Sequence, residues 1–204
     1  PFQENSYILY DEKGGAILID PGMYTDDECG VFFDFIERKQ LTPQLLLSTH
    51  THLDHVFGNA AVLKKFSIPY GFHIKDRPVF DAASSAGAMY GLSFEKSPEP
   101  TFYISEHENV TLGEHAMSVL LAPGHSPGSV CFYSEKQQFV ISGDVLFQMS
   151  IGRSDFPGGN YETLIQSIHT QLLSLPDETL VYSGHGPATQ IGFEKMNNPF
   201  LTQR

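Results

Sequence analysis

Ser48-Thr49-His50-Thr51-His52-Leu53-Asp54-His55 is the stretch on which the reading of this chain turns. Three histidines and an aspartate fall within six positions, directly after the apolar run Leu45-Leu46-Leu47. A strand that ends at Leu47 hands its next residues to a loop at a sheet edge. Such a loop can turn several imidazoles and a carboxylate toward one point. Neutral imidazole and carboxylate together suit zinc and its first-row neighbours. A merely solvated loop has no need of so many histidines. Four donors also exceed the three protein ligands of a single catalytic ion, which keeps one position open. Either one of the four is not a ligand or there is a second ion.

Working outward, three later segments repeat the arrangement of a Gly-flanked polar residue after an apolar strand. Gly124-His125-Ser126-Pro127-Gly128 follows a strand expected to end at Leu121, and Pro127-Gly128 suits the centre of a type II turn. Ser142-Gly143-Asp144 follows a strand beginning at Phe139, and Ser183-Gly184-His185-Gly186 follows one beginning at Leu180. The donor pool becomes His50, His52, Asp54, His55, His125, Asp144 and His185. Seven are too many for one tetrahedral ion and suit two ions that share a bridging carboxylate. His73, His107, His115 and His169 lack this context and are read as surface or capping residues.

The remaining elements alternate between the two classes. Ser6 to Tyr10 and Ala16 to Asp20 read as a hairpin. Thr25 offers an N-cap to a helix with Val31, Phe32, Phe35 and Ile36 as its apolar face. Helices are expected over 59–66, over most of 73–90 and over 161–173, the last with Leu164, Ile165, Ile168 and Leu172 on one side. Strands are expected at 45–47, 68–70, 110–112 and 116–121, with a hairpin of 130–134 and 139–142, and a last strand at 180–182. This is a layered α/β pattern.

Composition narrows the function classes. Hydrophobic content of 41% and charged content of 18% over 204 residues are those of a globular chain, expected to form a single domain over 1–204. No apolar run approaches the ~20 residues of a membrane-spanning helix. A net charge of −12, with its cations single or in pairs, opposes a nucleic-acid surface. Cys29 and Cys131 form no CxxC and are read as free thiols of a reducing compartment, so a cytoplasmic location is expected. The chain begins at Pro1 rather than Met, which leaves any preceding segment open.

The stretch from Thr49 to His55, with the later His, Asp and His in order, resembles the metallo-β-lactamase superfamily. That resemblance implies an αββα sandwich of two mixed sheets flanked by helices, with metals at one sheet edge. Carried over by motif, His50, His52 and His125 would hold one ion, Asp54, His55 and His185 a second, and Asp144 would bridge. Zinc is the first choice of metal, with iron or manganese as alternatives.

Within the superfamily, Gly143-Asp144-Val145-Leu146-Phe147 with Gly152-Arg153 is similar to glyoxalase II, the hydroxyacylglutathione hydrolases. The run from Ser150 to Gly159 and the tail Asn198-Pro199-Phe200-Leu201 resemble its short bacterial forms, which lack the C-terminal helical glutathione-binding domain. Arg153 stands where that family places a glutathione-binding Lys, whereas Asp155 and Pro187 replace its substrate tyrosines.

The resemblance implies hydrolysis of a thioester such as S-lactoylglutathione. Two ions about 3.5–4 Å apart would lower the pKa of a shared water from about 15.7 toward about 7 and supply a bridging hydroxide. Asp54 would orient it, and Arg153 would grip an acidic substrate end. A thiolate, with a conjugate-acid pKa of about 8.5, leaves without a strong general acid. The alternatives are a persulfide dioxygenase with one iron on His50, His125 and Asp144, or a lactonase or other ester hydrolase of the same fold.

Overall fold

The computed structural model describes residues 2–106 and 108–202, so His107 lies outside the described residues. The first sheet runs in the order β1 (Tyr7–Tyr10), β2 (Gly15–Ile19), β3 (Thr42–Leu47), β4 (Tyr70–His73), β5 (Phe102–Ile104). Its first pair is antiparallel and the other three pairs are parallel. The second sheet contains β6 (Asn109–Leu112), β7 (His115–Leu121), β8 (Val130–Ser134) and β9 (Phe139–Gly143) as antiparallel neighbours. A small hairpin, β10 (Leu146–Phe147) and β11 (Ser150–Ile151), follows. Then β12 (Leu180–Ser183) joins β9 in parallel and β13 (Thr189–Gln190) closes the edge.

Period-two alternation decides which face each strand side chain takes. Ile17 and Ile19 meet Val130, Phe132 and Ile141 between the sheets. Leu18, Leu46 and Tyr70 point the other way, onto Phe32 and Ile36 of α1 (Asp26–Arg38), Val62 of α3 (Asn59–Phe66) and Phe80 of α4 (Arg77–Met89). Across the molecule, Cys131, Val140 and Val181 face Leu164 of α5 (Tyr161–Ser167), Ile168 and Leu172 in the π turn that follows it, and Ile191 of α6 (Ile191–Asn197). Three apolar layers between four layers of structure make the αββα sandwich. No helix among the described residues is long and apolar enough to cross a membrane.

Several local expectations change. Val31 is 69% exposed, because α1 buries Phe32 and Ile36 and turns Val31 outward. The strand expected over 68–70 occupies Tyr70–His73. The helix expected over 161–173 is α-helical over Tyr161–Ser167 and widens to a π turn over Ile168–Leu172. Gly128 is not in the left-handed region, so Pro127-Gly128 is not a type II turn. A Cβ on Gly128 would meet the backbone of Asp76, so glycine serves close approach there. His73 accepts a capping hydrogen bond from the Lys75 N–H, His115 is half-buried and His169 is exposed. Both cysteines are free.

Candidate metal centre

β2 and β3 run the same way, as do β7, β9 and β12, because β8 is antiparallel to both of its neighbours and β12 is parallel to β9. Strand C-termini therefore gather at one edge, where open α/β sheets bind ligands. His50 follows β3, His125 follows β7, Asp144 follows β9 and His185 follows β12. The four-residue α2 (Leu53–Val56) starts straight after His52 and turns Asp54 and His55 back toward the same point.

The seven donors form two groups with Asp144 between them. In the first, Nδ1 of His52 lies 2.8 Å from Nε2 of His125, which lies 3.1 Å from Nε2 of His50. In the second, Nε2 of His185 is 3.3 Å from Asp54 Oδ2, with His55 alongside. Asp144 reaches both: Oδ1 is 3.4 Å from His55 Nε2, and Oδ2 is 3.5 Å from Nε2 of His125 and of His185.

The outer nitrogens fix where the ring protons sit. His125 Nδ1 donates to the Arg153 carbonyl at 2.7 Å, and His55 Nδ1 to Asp20 Oδ2 at 3.0 Å. His185 Nδ1 faces the Phe2 and Gln3 carbonyls at 3.1 and 3.3 Å. Each neutral ring then turns a bare lone pair inward, toward the carboxylates of Asp54 and Asp144. Acceptors face acceptors, and His55 Nε2 and Asp144 Oδ1 are buried with no hydrogen-bond partner. A cation resolves that conflict, so the donor set fits divalent metal ions.

The ionisation behaviour agrees. Burial, joined by the neighbouring imidazoles, pushes His50 well down and His52 to about 3, keeping both lone pairs available. Burial alone would raise Asp144, but His55, His125 and His185 outweigh it and hold the carboxyl well below its usual range. Burial likewise opposes charge on His55, yet Asp144 and Asp20 overcome it and lift the ring well above its ordinary value. Where a cation is missing, a proton is drawn to the same place.

Two buried carboxylates hold this arrangement, and sequence reasoning does not find them. Asp20 adopts φ 49°, a left-handed conformation that Asp tolerates. It accepts from the Thr49 N–H at 2.7 Å and the Thr49 hydroxyl at 2.5 Å as well as from His55. Asp76 accepts from Thr51 N–H and hydroxyl at 2.5 and 2.8 Å and from Gly128 N–H at 2.9 Å. It thereby ties the His50–His52 loop to the His125 loop. Asp20 does carry the common signal, an acid after an apolar strand, masked by Pro21-Gly22. Asp76 carries none.

Arg153 touches this centre through its carbonyl, at His125. Its side chain is 64% exposed, with the guanidinium forked onto Asp155 at 2.9 and 2.8 Å and stacked 4.3 Å from the Phe156 ring. Phe156 in turn covers His52 at 5.0 Å. A cavity of about 470 Å³, lined in part by Gln3, Ser6, Tyr7, Asp54 and Phe57, adjoins the second group.

The family model described as "Metallo-beta-lactamase superfamily" matches residues 1–185. The chain belongs to the metallo-β-lactamase superfamily. It is 41% identical to "Probable metallo-hydrolase YqgX" of Bacillus subtilis (strain 168), over 98% of this chain and 93% of that protein. It is 37% identical to "Hydroxyacylglutathione hydrolase GloC" of Haemophilus influenzae, over 100% and 95%. Among solved structures, the BLEG-1 B3 metallo-beta-lactamase superposes with a TM-score of 0.91 at 41% identity, covering 100% of this chain and 96% of the other. TTHA1623 in a di-iron-bound form gives 0.89 at 39%, covering 98% and 96%. Superfamily members bind divalent metals, typically two, and the two histidine groups fit that habit. The chain is a metallo-hydrolase of this superfamily.

Proposed function

We propose that the protein is a metal-dependent thioester hydrolase of the glyoxalase II type, acting on a small acyl-thiol substrate. In this reading His50, His52 and His125 hold one ion, Asp54, His55 and His185 the other, and Asp144 lies between them. One observation carries it: buried lone pairs of imidazoles and carboxylates converge without donors, and His55 Nε2 and Asp144 Oδ1 are left without partners. Ions bound there supply Lewis acidity and a nucleophile at neutral pH.

The protein's own groups do the rest. Burial pushes the Asp54 carboxyl upward, and without metal the His185 contact outweighs it. With ions bound, their charge would keep the carboxylate ionised and able to accept a hydrogen bond from the attacking water. Phe156 beside His52 and Phe147, 6.1 Å from His185, screen the centre from bulk solvent. The adjoining cavity offers room for part of the substrate. A thiolate needs no strong acid to leave, and the exposed Arg153 guanidinium, forked onto Asp155, would exchange that contact to grip an acidic substrate end.

The relative described as a hydroxyacylglutathione hydrolase supports the thioester reading. The 41% identity to a B3 metallo-beta-lactamase, against 37% to that relative, favours a second one, cleavage of a β-lactam amide. Metal-loaded protein offered S-lactoylglutathione, a non-glutathione S-acyl thiol, a lactone and a chromogenic cephalosporin separates them. The highest kcat/KM is expected on a thioester. Cephalosporin cleavage with both thioesters untouched would overturn the proposal.

A further inference from the structure

The tail motif Asn198-Pro199-Phe200-Leu201 and the run beginning at Ser150 lie about fifty residues apart in the chain, yet they interlock (separation 48 between the bonded pair). Asn198 Nδ2 donates to the Ser150 carbonyl at 3.0 Å and to Glu194 Oε2 at 2.8 Å. Glu194 Oε2 also accepts the Met149 N–H at 3.0 Å, and its Oε1 accepts the Thr189 hydroxyl at 2.5 Å. Glu194 and Asn198 are both fully buried. An apolar residue would seat α6 without the desolvation cost of a carboxylate. A buried carboxylate with three donors is warranted if it fixes backbone that must not move.

That backbone is the β10–β11 turn, where Met149 sits at φ 57°. Its near end is tied separately, since the Leu146 carbonyl accepts the hydroxyls of Ser142 at 3.0 Å and Ser183 at 2.7 Å. Its far end leads within two residues to Gly152 and Arg153. Gly152 lies so close to the Asp144 carbonyl that a Cβ there would collide with it. Arg153 supplies the carbonyl that holds the His125 ring proton on Nδ1. The path from the tail therefore ends on the backbone of one candidate ligand and the tautomer of another.

We infer that Glu194 and Asn198 are positioning residues, a clamp from the C-terminal helices that sets Asp144 and His125 for metal binding through the β10–β11 turn. The inference rests on the ligand assignment above. Groups that orient metal ligands from behind are worth roughly 10–100-fold in affinity.

The test compares the metal-loaded wild type with Asn198→Ala, Glu194→Ala, Glu194→Gln and Leu201→Ala. Leu201 packs on the apolar layer from the same tail and controls for lost stability alone. Metal loss to a chelating indicator, the visible spectrum of the cobalt-loaded protein and thermal midpoints are recorded together. Asn198→Ala is expected to release metal roughly tenfold or more faster, with a shifted cobalt spectrum. Leu201→Ala should keep both at an equal or greater loss of midpoint. Glu194→Gln, which retains an acceptor oxygen, should recover part of what Glu194→Ala loses. If Glu194→Ala does not fold, Asn198→Ala carries the comparison. Retention and spectrum in Asn198→Ala matching those of Leu201→Ala would overturn the clamp alone. Wild-type protein that takes up no ions would overturn the ligand assignment and the clamp with it.

Discussion

Asp144 is the side chain on which the two donor groups depend, since its oxygens face His55 on one side and His125 and His185 on the other. Asp144→Ala and His52→Ala are each expected to remove hydrolysis to the detection limit and to lower the metal content per chain. Circular dichroism should remain that of the wild type, because neither side chain belongs to the apolar layers. Retained turnover in both variants would contradict the assignment. Asp20 acts one step further out. Asp20→Asn keeps its volume but weakens the partner of the His55 ring proton, so metal affinity should fall roughly 10–100-fold. Competition against a chelating indicator measures that change, and an unaltered constant would show that His55 is oriented without it.

Elements differ in how closely they are coupled to the centre. α1 is capped by a reciprocal pair: Thr25 Oγ1 accepts the Glu28 N–H at 3.2 Å and the Glu28 carboxylate accepts the Thr25 N–H at 2.9 Å. Thr25→Ala should cost about 1 kcal/mol, a fall of ~2–4 °C in a thermal melt, with unchanged kcat. The loop after β7 is another matter. Gly128→Ala would press a Cβ onto the Asp76 backbone and move the segment that carries His125. An overpacking cost of ~1–3 kcal/mol is expected, together with weakened metal retention. A Gly128→Ala protein that melts early but holds its metals normally would separate the Asp76 tie from the centre.

At the scale of the molecule, the two donor groups take up protons in different pH ranges. Burial lowers His50 and His52, the latter to about 3, and His125 is lowered too, with Asp144 partly offsetting burial. His55 and His185 are raised despite burial, by Asp144 and Asp20 for the first and by Asp54 and Asp144 for the second. A metal needs the unprotonated nitrogen, so a raised pKa means that protons compete from a higher pH downward. On stepwise acidification the ion held by Asp54, His55 and His185 is expected to leave first. The ion at His50, His52 and His125 should persist to lower pH. Metal content after equilibration at each pH shows this as two steps, and loss of both ions in one step would refute it.

Much of the centre was legible because its donors lie in segments that follow strands, and strands announce themselves locally through short apolar runs. His50 after Leu47, His125 after Leu121, Asp144 after Ser142 and His185 after Ser183 are of this kind. What the sequence alone determined was therefore the set of candidate donors that the fold gathers at one edge, and the layered α/β class. Tertiary structure alone decided which groups stand behind the donors: Asp20 on His55, Asp76 between two loops, and Glu194 with Asn198 under the β10–β11 turn. Of these, Asp76 to Gly128 and Asn198 to Ser150 join residues 52 and 48 positions apart. Their geometry arises only when separate strand ends are packed to one edge, so no periodicity or spacing in the chain encodes it.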